Sequence, residues 1–408
     1  MWFKCSGMVR GHHRLTGILI PSTPSAACNR NENALHRSPR FPVISSNRPQ
    51  ISRPYLRPQS RKITMASGNN NNMAAVITEA KAHPFVIRPA PVWTPGAHEI
   101  LVKNEAVAIN PVDGNLQYMS IYPLNYPTVL GQDISGTVAA IGSGVTRFRV
   151  GDRVVGHATS MTSGRQQDGG FQLYTTLQTN MASPIPANIS YEAAVVLPLA
   201  LSTAAAGLSQ KGLLNLQHPL EPARQPTGET LLVWGGASSV GGNAIQPAVA
   251  AGHEVITTAS AHNFDYTKRL GASRVFDYHS PTVHEELLSA FKSKTLAGVM
   301  DCIGAPAWAI CIDVAWKTPG NKFVATMKRG FPDPPDGVSL NAVFGLTIKD
   351  DEISRVIYED FLPKALEAGS FQPSPEPLVV GQGLESIQAA VDLHRASVSA
   401  QKIVAKLY

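Results

Sequence analysis

The sequence predicts an α/β chain in which a small twisted β-barrel is joined to a doubly wound parallel sheet. Three observations predict it. A glycine-rich turn links an apolar strand to a helix within residues 229–260, strand and helix patterns alternate from there to about Thr326, and short β-branched runs broken by glycines fill Met73 to about Ala187. With 408 residues and 43% apolar content, the chain can bury a sizeable core and has length for two or three domains.

The first segment stands apart by composition. Residues 1–64 hold nine Arg, two Lys and one acid, Glu32, which is +10; the remainder has 24 basic against 28 acidic residues, about −4. The net charge of +6 therefore belongs to the start of the chain, and no nucleic-acid surface is expected on the folded part. Residues 1–72, rich in Arg, Ser, Pro and Asn, are expected to lie outside the fold as a disordered or targeting extension. A mitochondrial transit peptide would place the protein in the matrix; a disordered tail or an over-extended reading frame would leave it cytoplasmic. The patch LTGILI is too brief for a secretory apolar region. No run of about 18 apolar residues occurs, so no membrane span is expected. Cys5, Cys28, Cys302 and Cys311 form no C-x-x-C pair, which argues against a disulfide framework and a cysteine zinc site.

In the barrel region, EILVKNEAVAIN and SGTVAAIG read as strands, with Gly142, Gly144, Gly151, Gly156, Gly169 and Gly170 at the reversals. Ser190 opens a helix, YEAAVVLPLALSTAAAGL, that Pro198 interrupts. After a proline-rich connection the βα units begin, with VITTA, RVFDY, GVMDCIG and KFVAT as strands. The tail from Glu352 reads as one or two helices and a final strand, KIVAKL, that returns to the first domain. The expected domains are 73–200 with 345–408, and 201–344.

The stretch ETLLVWGGASSVGGNAIQPAVAAGHEVITTAS reads as a strand (Thr230 to Trp234), a turn (Gly235 to Gly242), a helix (roughly Asn243 to Ala251) and a second strand (Glu254 to Thr258). Such a unit aims free backbone N–H groups and the positive end of a helix dipole at one point, where a dinucleotide pyrophosphate sits. Against G-x-G-x-x-G, Gly236 and Gly241 fit, while Ser238 takes the middle position and must tolerate the geometry or offer its hydroxyl as a donor. A glycine-rich turn with no ligand is the plain alternative. The second strand ends Thr257, Thr258, Ala259, Ser260, Ala261, His262, Asn263, without the carboxylate that holds the ribose of NAD. Hydroxyl and amide donors there suit a 2′-phosphate, so NADPH is the expected cofactor. Lys268 and Arg269 could add charge or simply form a solvated helix face.

The runs AINPVDGNLQ, PTVLGQDISGTV, GVTRFRVGDRVVG, DGGFQLYT, LLVWGGASSVGGNAIQ and PEPLVVGQGLESIQAAVDL together resemble the medium-chain dehydrogenase/reductase superfamily over about residues 73–408. They look most like its zinc-free quinone-oxidoreductase and enoyl-reductase branch, and within it are similar to fungal trans-acting enoyl reductases that serve polyketide synthases. The resemblance implies a GroES-like barrel, a Rossmann domain inserted in it and a cleft between them. Where zinc alcohol dehydrogenases carry cysteine and G-H-E, this chain has Asn110 and Gly131-Gln132-Asp133, so Lewis-acid alcohol oxidation is not expected.

The implied chemistry is hydride transfer to a C=C bond conjugated with a carbonyl, on a small or carrier-bound acyl substrate, by a monomer or homodimer. Quinone or alkenal reduction is a second enzymatic reading; an NADPH-binding redox-sensing module with little turnover is a third. Tyr122 resembles the tyrosine of mitochondrial enoyl-thioester reductases, one residue out of step, and could equally line the cleft. The branch has Trp-Lys where this chain has Gly114-Asn115. Asp113 suits a turn or N-cap, and Gln132 and Asp133 a supporting role. Thr203 resembles the residue whose hydroxyl contacts nicotinamide; helix packing with a back-bond is the alternative. Gly236, Ala237, Ser238, Ser239, Val240 and Gly241 are expected at the pyrophosphate, Ser260, Asn263 and Tyr278 around the 2′-phosphate, and Cys302 and Ile303 beside the cofactor. Cys302 reads as a small buried hydrophobe rather than a nucleophile. Arg395 is expected at the phosphate or in a surface salt bridge.

Overall fold

The structure, a computed structural model, describes residues 71–396 and 398–408. All but the last two residues of the expected extension, 1–72, and with it the targeting question, lie outside the described residues.

A seven-stranded sheet curls into the barrel. Its path runs Glu376–Gln382, Gln401–Lys406, Glu99–Ala108, Asp133–Ile141, Arg153–His157, Ala182–Pro184, with Tyr174–Gln178 also paired to Glu99–Ala108. A three-stranded sheet of Val86–Ala90, Asn72–Ile77 and Thr128–Val129 closes it. Phe148, Phe171, Ile134 and Ile403 fill the interior, each 0–2% exposed. Glu376–Gln382 was not expected as a strand: Pro377 and Gly381 weaken the pattern, and its partner is the parallel strand Gln401–Lys406. That last strand lies antiparallel to Glu99–Ala108, so the tail does return to the barrel.

The second sheet has six strands, all parallel, in the order Arg274–Asp277, Glu254–Ala259, Glu229–Trp234, Thr295–Asp301, Phe323–Thr326, Ser339–Ala342. In chain order this is 3-2-1-4-5-6, the doubly wound arrangement with its switch point beside Glu229–Trp234. The strands are buried on both faces. Leu232, Ile256, Val299 and Val324 pack on one side, and Leu231, Val233, Val255 and Met300 on the other, which is why they read as continuous apolar runs.

Ser190 caps a short helix, Tyr191–Ala194, by accepting from Ala193 N, and Pro198 opens the longer helix Pro198–Ser209. Taken together, Tyr191–Ser209 is long and apolar enough to cross a membrane by length and composition, and 83% of its most apolar window is buried. Ala200, Leu201, Ala204 and Ala206 are wholly buried, and the helix packs in the protein core.

Candidate active site

A cleft of about 920 Å³ runs between the barrel and the parallel sheet. Every strand of the parallel sheet delivers a residue to it from its carboxyl end: Trp234, Ser260, Tyr278, Cys302, Met327 and Val343. Ligands of open α/β sheets bind at that edge, and the glycine turn stands at its centre.

The turn is held from below. Gly235 (φ +85°) donates its N–H to Thr258 Oγ1 at 3.0 Å, and Gly236 N–H reaches Thr258 O at 2.9 Å. A Cβ on Gly236 would stand 2.2 Å from Thr257 Oγ1, and one on Gly241 2.2 Å from Gly235 O. These two glycines are therefore required by packing beneath the turn, and neither lines the cleft. Ser238 needs no glycine conformation (φ −73°); its Oγ accepts from Gly241 N at 3.0 Å and donates to Gly235 O at 2.8 Å. Its hydroxyl is spent on capping, and the helix begins at Ser239 rather than near Asn243. The N–H groups of Ala237, Ser239 and Val240 have no partner among the described residues, and all three line the cleft. Three free donors at a helix N-terminus form a cradle that fits a pyrophosphate.

At the far end of the turn, Ser260 and Asn263 face the cleft with Ser399 from the tail. Asn263 Nδ2 donates to Ser260 Oγ at 3.2 Å and to Ser399 Oγ at 3.3 Å, and His262 Nε2 lies 3.3 Å from Ser260 Oγ. Tyr278 stacks on His279 at 4.0 Å with 44% of its surface exposed. Lys268 and Arg269 lie exposed outside the cleft. Arg395 is not part of the cleft lining and has no carboxylate ion pair among the described residues; its guanidinium lies 3.7 Å over the Tyr118 ring. Its chain also packs on Gly114, whose Cβ would sit 3.4 Å from Arg395 Cγ, in ordinary contact.

Thr203 lines the cleft, and its Oγ1 donates to Leu199 O at 2.7 Å, the back-bond of the packing alternative. Cys302 and Ile303 line it at a corner fixed by Asp301, whose Oδ1 accepts from the N–H groups of Ile303 and Gly304, both at 3.0 Å. Burial pushes the Cys302 thiol up, the opposite of a reactive thiolate. Tyr122 stands at the cleft mouth, 36% exposed. Of the thirteen residues expected at the site, the structure brings eleven to one cleft and sets Gly236 and Gly241 beneath it.

The cleft floor is charged and buried. Lys402 Nζ lies 2.9 Å from Asp133 Oδ2 and 2.5 Å from Asn110 Oδ1, while Asn110 Nδ2 donates to Asp133 Oδ2 at 2.8 Å. Asp133 Oδ1 accepts from Leu199 N at 2.6 Å. Asp113, the third residue of helix Pro111–Met119, accepts from Asn110 N at 2.8 Å, one half of a capping box. Burial raises its carboxyl to about 7, with the neighbouring Asp133 charge adding to the effect.

His157 closes the floor. Tyr358 Oη donates to Pro198 O at 2.9 Å, so the proton in its 2.7 Å contact with Ser202 belongs to Ser202. Ser202 Oγ must then accept from His157 Nδ1–H at 2.9 Å. The relay fixes the tautomer, and Nε2 is left as a bare acceptor without a partner among the described residues. Burial lowers the imidazole to about 4, so it is neutral at pH 7. Sequence reasoning passed over Lys402 and His157. The strand Gln401–Lys406 carries two lysines, Lys402 and Lys406, and nothing local tells the buried one from the other; nothing marked His157 either.

Comparison with known proteins agrees with this architecture. Residues 96–187 match the family of alcohol dehydrogenase GroES-like domains and residues 239–325 that of zinc-binding dehydrogenases. The chain is 55% identical to the zinc-binding alcohol dehydrogenase domain-containing protein cipB of Emericella nidulans, over 84% of this chain and 100% of that one. It is 38% identical to the trans-enoyl reductase himH of Aspergillus japonicus, over 82% and 97%. Among solved structures it is similar to an alcohol dehydrogenase superfamily protein from Novosphingobium aromaticivorans, with a TM-score of 0.68, 25% identity, and 83% and 100% of the chains covered. Two of these names include zinc, and the donor set here does not fit it. The carboxylate of Asp133 is occupied by an ammonium, Asn110 and Gln132 are weak neutral donors, and no three His, Cys, Asp or Glu side chains among the described residues converge on one point. The chain belongs to the medium-chain dehydrogenase/reductase superfamily, as an oxidoreductase built for a nicotinamide nucleotide.

Proposed function

We propose that this protein is a zinc-independent, NADPH-dependent enoyl reductase that saturates the C=C bond of an α,β-unsaturated thioester, with the acyl chain presented by a separate polyketide synthase. The observation that carries the reading is the continuity of the cleft. It runs from a donor cradle, with no carboxylate among the described lining residues at its Ser260 end, to a buried floor whose positive group is an ammonium. The likeness to himH, named a trans-enoyl reductase, supports the same class.

Bound NADPH supplies the hydride, which goes to the β carbon while the C=C electrons move through the α carbon to the carbonyl oxygen. The rest falls to the chain. Ala237, Ser239 and Val240, which line the cleft, would hold the pyrophosphate, Ser260 and Asn263 would donate to the 2′-phosphate, and Thr203 would lie beside the nicotinamide end. Tyr122 holds the proton for the α carbon, since neutral His157 presents no N–H at Nε2.

The test is NADPH consumption by purified protein with crotonyl thioester, with a quinone and with neither. The reading expects the thioester to be fastest. A faster quinone, or a flat trace with NADPH bound, replaces it with a quinone reductase or a redox-sensing module.

A further inference from the structure

An enoyl reductase must stabilise negative charge on the carbonyl oxygen as hydride arrives. In zinc members of the superfamily that charge would fall to the metal, whose thiolate and imidazole ligand positions are here Asn110 and Gln132. The structure shows what stands at those positions instead. Lys402 reaches Asn110 and Asp133 from the final strand, with 4% of its side chain exposed against 0% for Asp133.

The ammonium cannot turn away. Asp133 receives three donors, from Lys402, Asn110 Nδ2 and Leu199 N, and Asn110 is used at both ends, its Oδ1 taking Lys402 and its Nδ2 giving to Asp133. Two of the three Nζ hydrogens are thereby assigned. The third has no acceptor among the described residues, and Lys402 lines the cleft. Gln132, next to Asp133 in the chain, is wholly buried and also lines the cleft, yet neither its amide nitrogen nor its amide oxygen has a partner among the described residues. A buried primary amide with no partner destabilises the fold unless a ligand or water completes it. His157 cannot complete the set as a donor, because the Tyr358–Ser202 relay leaves Nε2 a lone pair.

We infer that Lys402 and Gln132 together bind the carbonyl oxygen of the acceptor, the fixed ammonium supplying in this chain the positive charge that a metal supplies elsewhere. The inference rests on the enoyl-reductase reading and adds the residues that would polarise the substrate. The balance is complete. Hydride forms the bond to the β carbon, the π pair moves to the carbonyl oxygen beside the Lys402 and Gln132 N–H groups, and the enolate returns the pair to the α carbon as that carbon takes a proton. Lys402 keeps its own proton throughout, because Asp133 holds the charge in place.

The experiment separates binding from turnover. Crotonyl thioester labelled with ¹³C at the carbonyl is bound to the protein loaded with NADP⁺, which cannot give hydride, and the carbonyl stretch is read by infrared difference spectroscopy. A band shifted to lower frequency than in water is expected for wild type. Gln132→Leu should lose part of the shift and bind the thioester at least tenfold more weakly, with the Kd for NADP⁺ held within twofold as the fold control. For Lys402 the variant is Lys402→Met with Asp133→Asn, which strands no buried charge. It should lose most of the shift and, in NADPH assays, 10²- to 10³-fold in kcat. A shift that persists in Gln132→Leu and in the double variant, or an unshifted band in wild type, overturns the inference. Turnover with an unshifted band leaves enoyl reduction standing without it; a shifted band without turnover does the reverse.

Discussion

Asp113→Asn changes the pH dependence of stability in a way that can be worked from the two buried titrating groups of the cleft floor. His157 is held down at about 4 by burial, against 6.5 when exposed, so from pH 6.5 to 4 the unfolded chain takes up a proton that the native protein refuses. Its contribution makes stability rise with pH across that window, by about 3 kcal/mol. Asp113 acts in the opposite sense. Its carboxyl is raised from 3.8 to about 7, so between these values the native protein keeps a proton that the unfolded chain releases, and stability falls as pH rises, by about 4 kcal/mol. In wild type the two nearly cancel between pH 4 and 6.5. The asparagine keeps an acceptor for Asn110 N–H but cannot ionise, which removes the opposing half. Relative to wild type, Asp113→Asn should therefore gain stability steadily with pH. The gain should reach about 3 kcal/mol near pH 7.5, once about 1 kcal/mol is allowed for the weaker neutral hydrogen bond. Urea unfolding followed by tryptophan fluorescence at pH 4.5, 5.5, 6.5 and 7.5 reads this directly. A variant profile parallel to wild type across the range would refute the assignment of a near-neutral carboxyl to the cleft floor.

Other substitutions test the remaining parts of the site. Gly241→Ala places a Cβ 2.2 Å from the Gly235 carbonyl, which is backbone and cannot yield without opening the turn; the Kd for NADPH should rise at least tenfold, and an unchanged Kd would dissociate the turn from the cofactor. Ser260→Asp puts a carboxylate at the end of the second strand, so NADPH should bind at least tenfold more weakly and NADH no worse, as measured by fluorescence titration. Tyr122→Phe should lower kcat tenfold or more while leaving the NADPH Kd within twofold; an equal kcat would take the proton from another source. Dialysis against a chelator should leave thioester turnover unchanged, and activity recovered only by added zinc would contradict the ammonium floor.

What was legible in the sequence, and what was not, follows from how far apart the interacting residues lie. The strand, glycine turn and strand at 229–260 were readable because Gly236 and Gly241 are demanded by neighbours within about twenty residues, Thr257 and Gly235. The start of the helix was misplaced because two glycines in its first turn look like loop, whereas the Ser238 cap and the close approach to Gly235 make them compatible with helix. The strand at 376–382 was hidden for a related reason: it is an edge strand whose Pro and Gly disguise it, and its one strand partner among the described residues is the last strand. Lys402 was out of reach altogether. Its partners are nearly 300 residues upstream, and no local pattern says that a lysine in KIVAKL will meet Asn110 and Asp133. The tautomer of His157 likewise depends on Ser202 and Tyr358, which only the fold brings together. Gln132 and Asp133 were read as supporting residues from the departure from G-H-E; the structure adds the direction each one faces.

The transfer itself can be followed atom by atom with NADPH carrying deuterium at the reactive C4 position and crotonyl thioester as acceptor, the butyryl product being analysed by mass spectrometry and NMR. One deuterium on the β carbon, with the α hydrogen drawn from solvent, is the predicted result. Deuterium on the former carbonyl carbon, or a saturated product with no label, would contradict hydride delivery to a polarised C=C bond in this cleft.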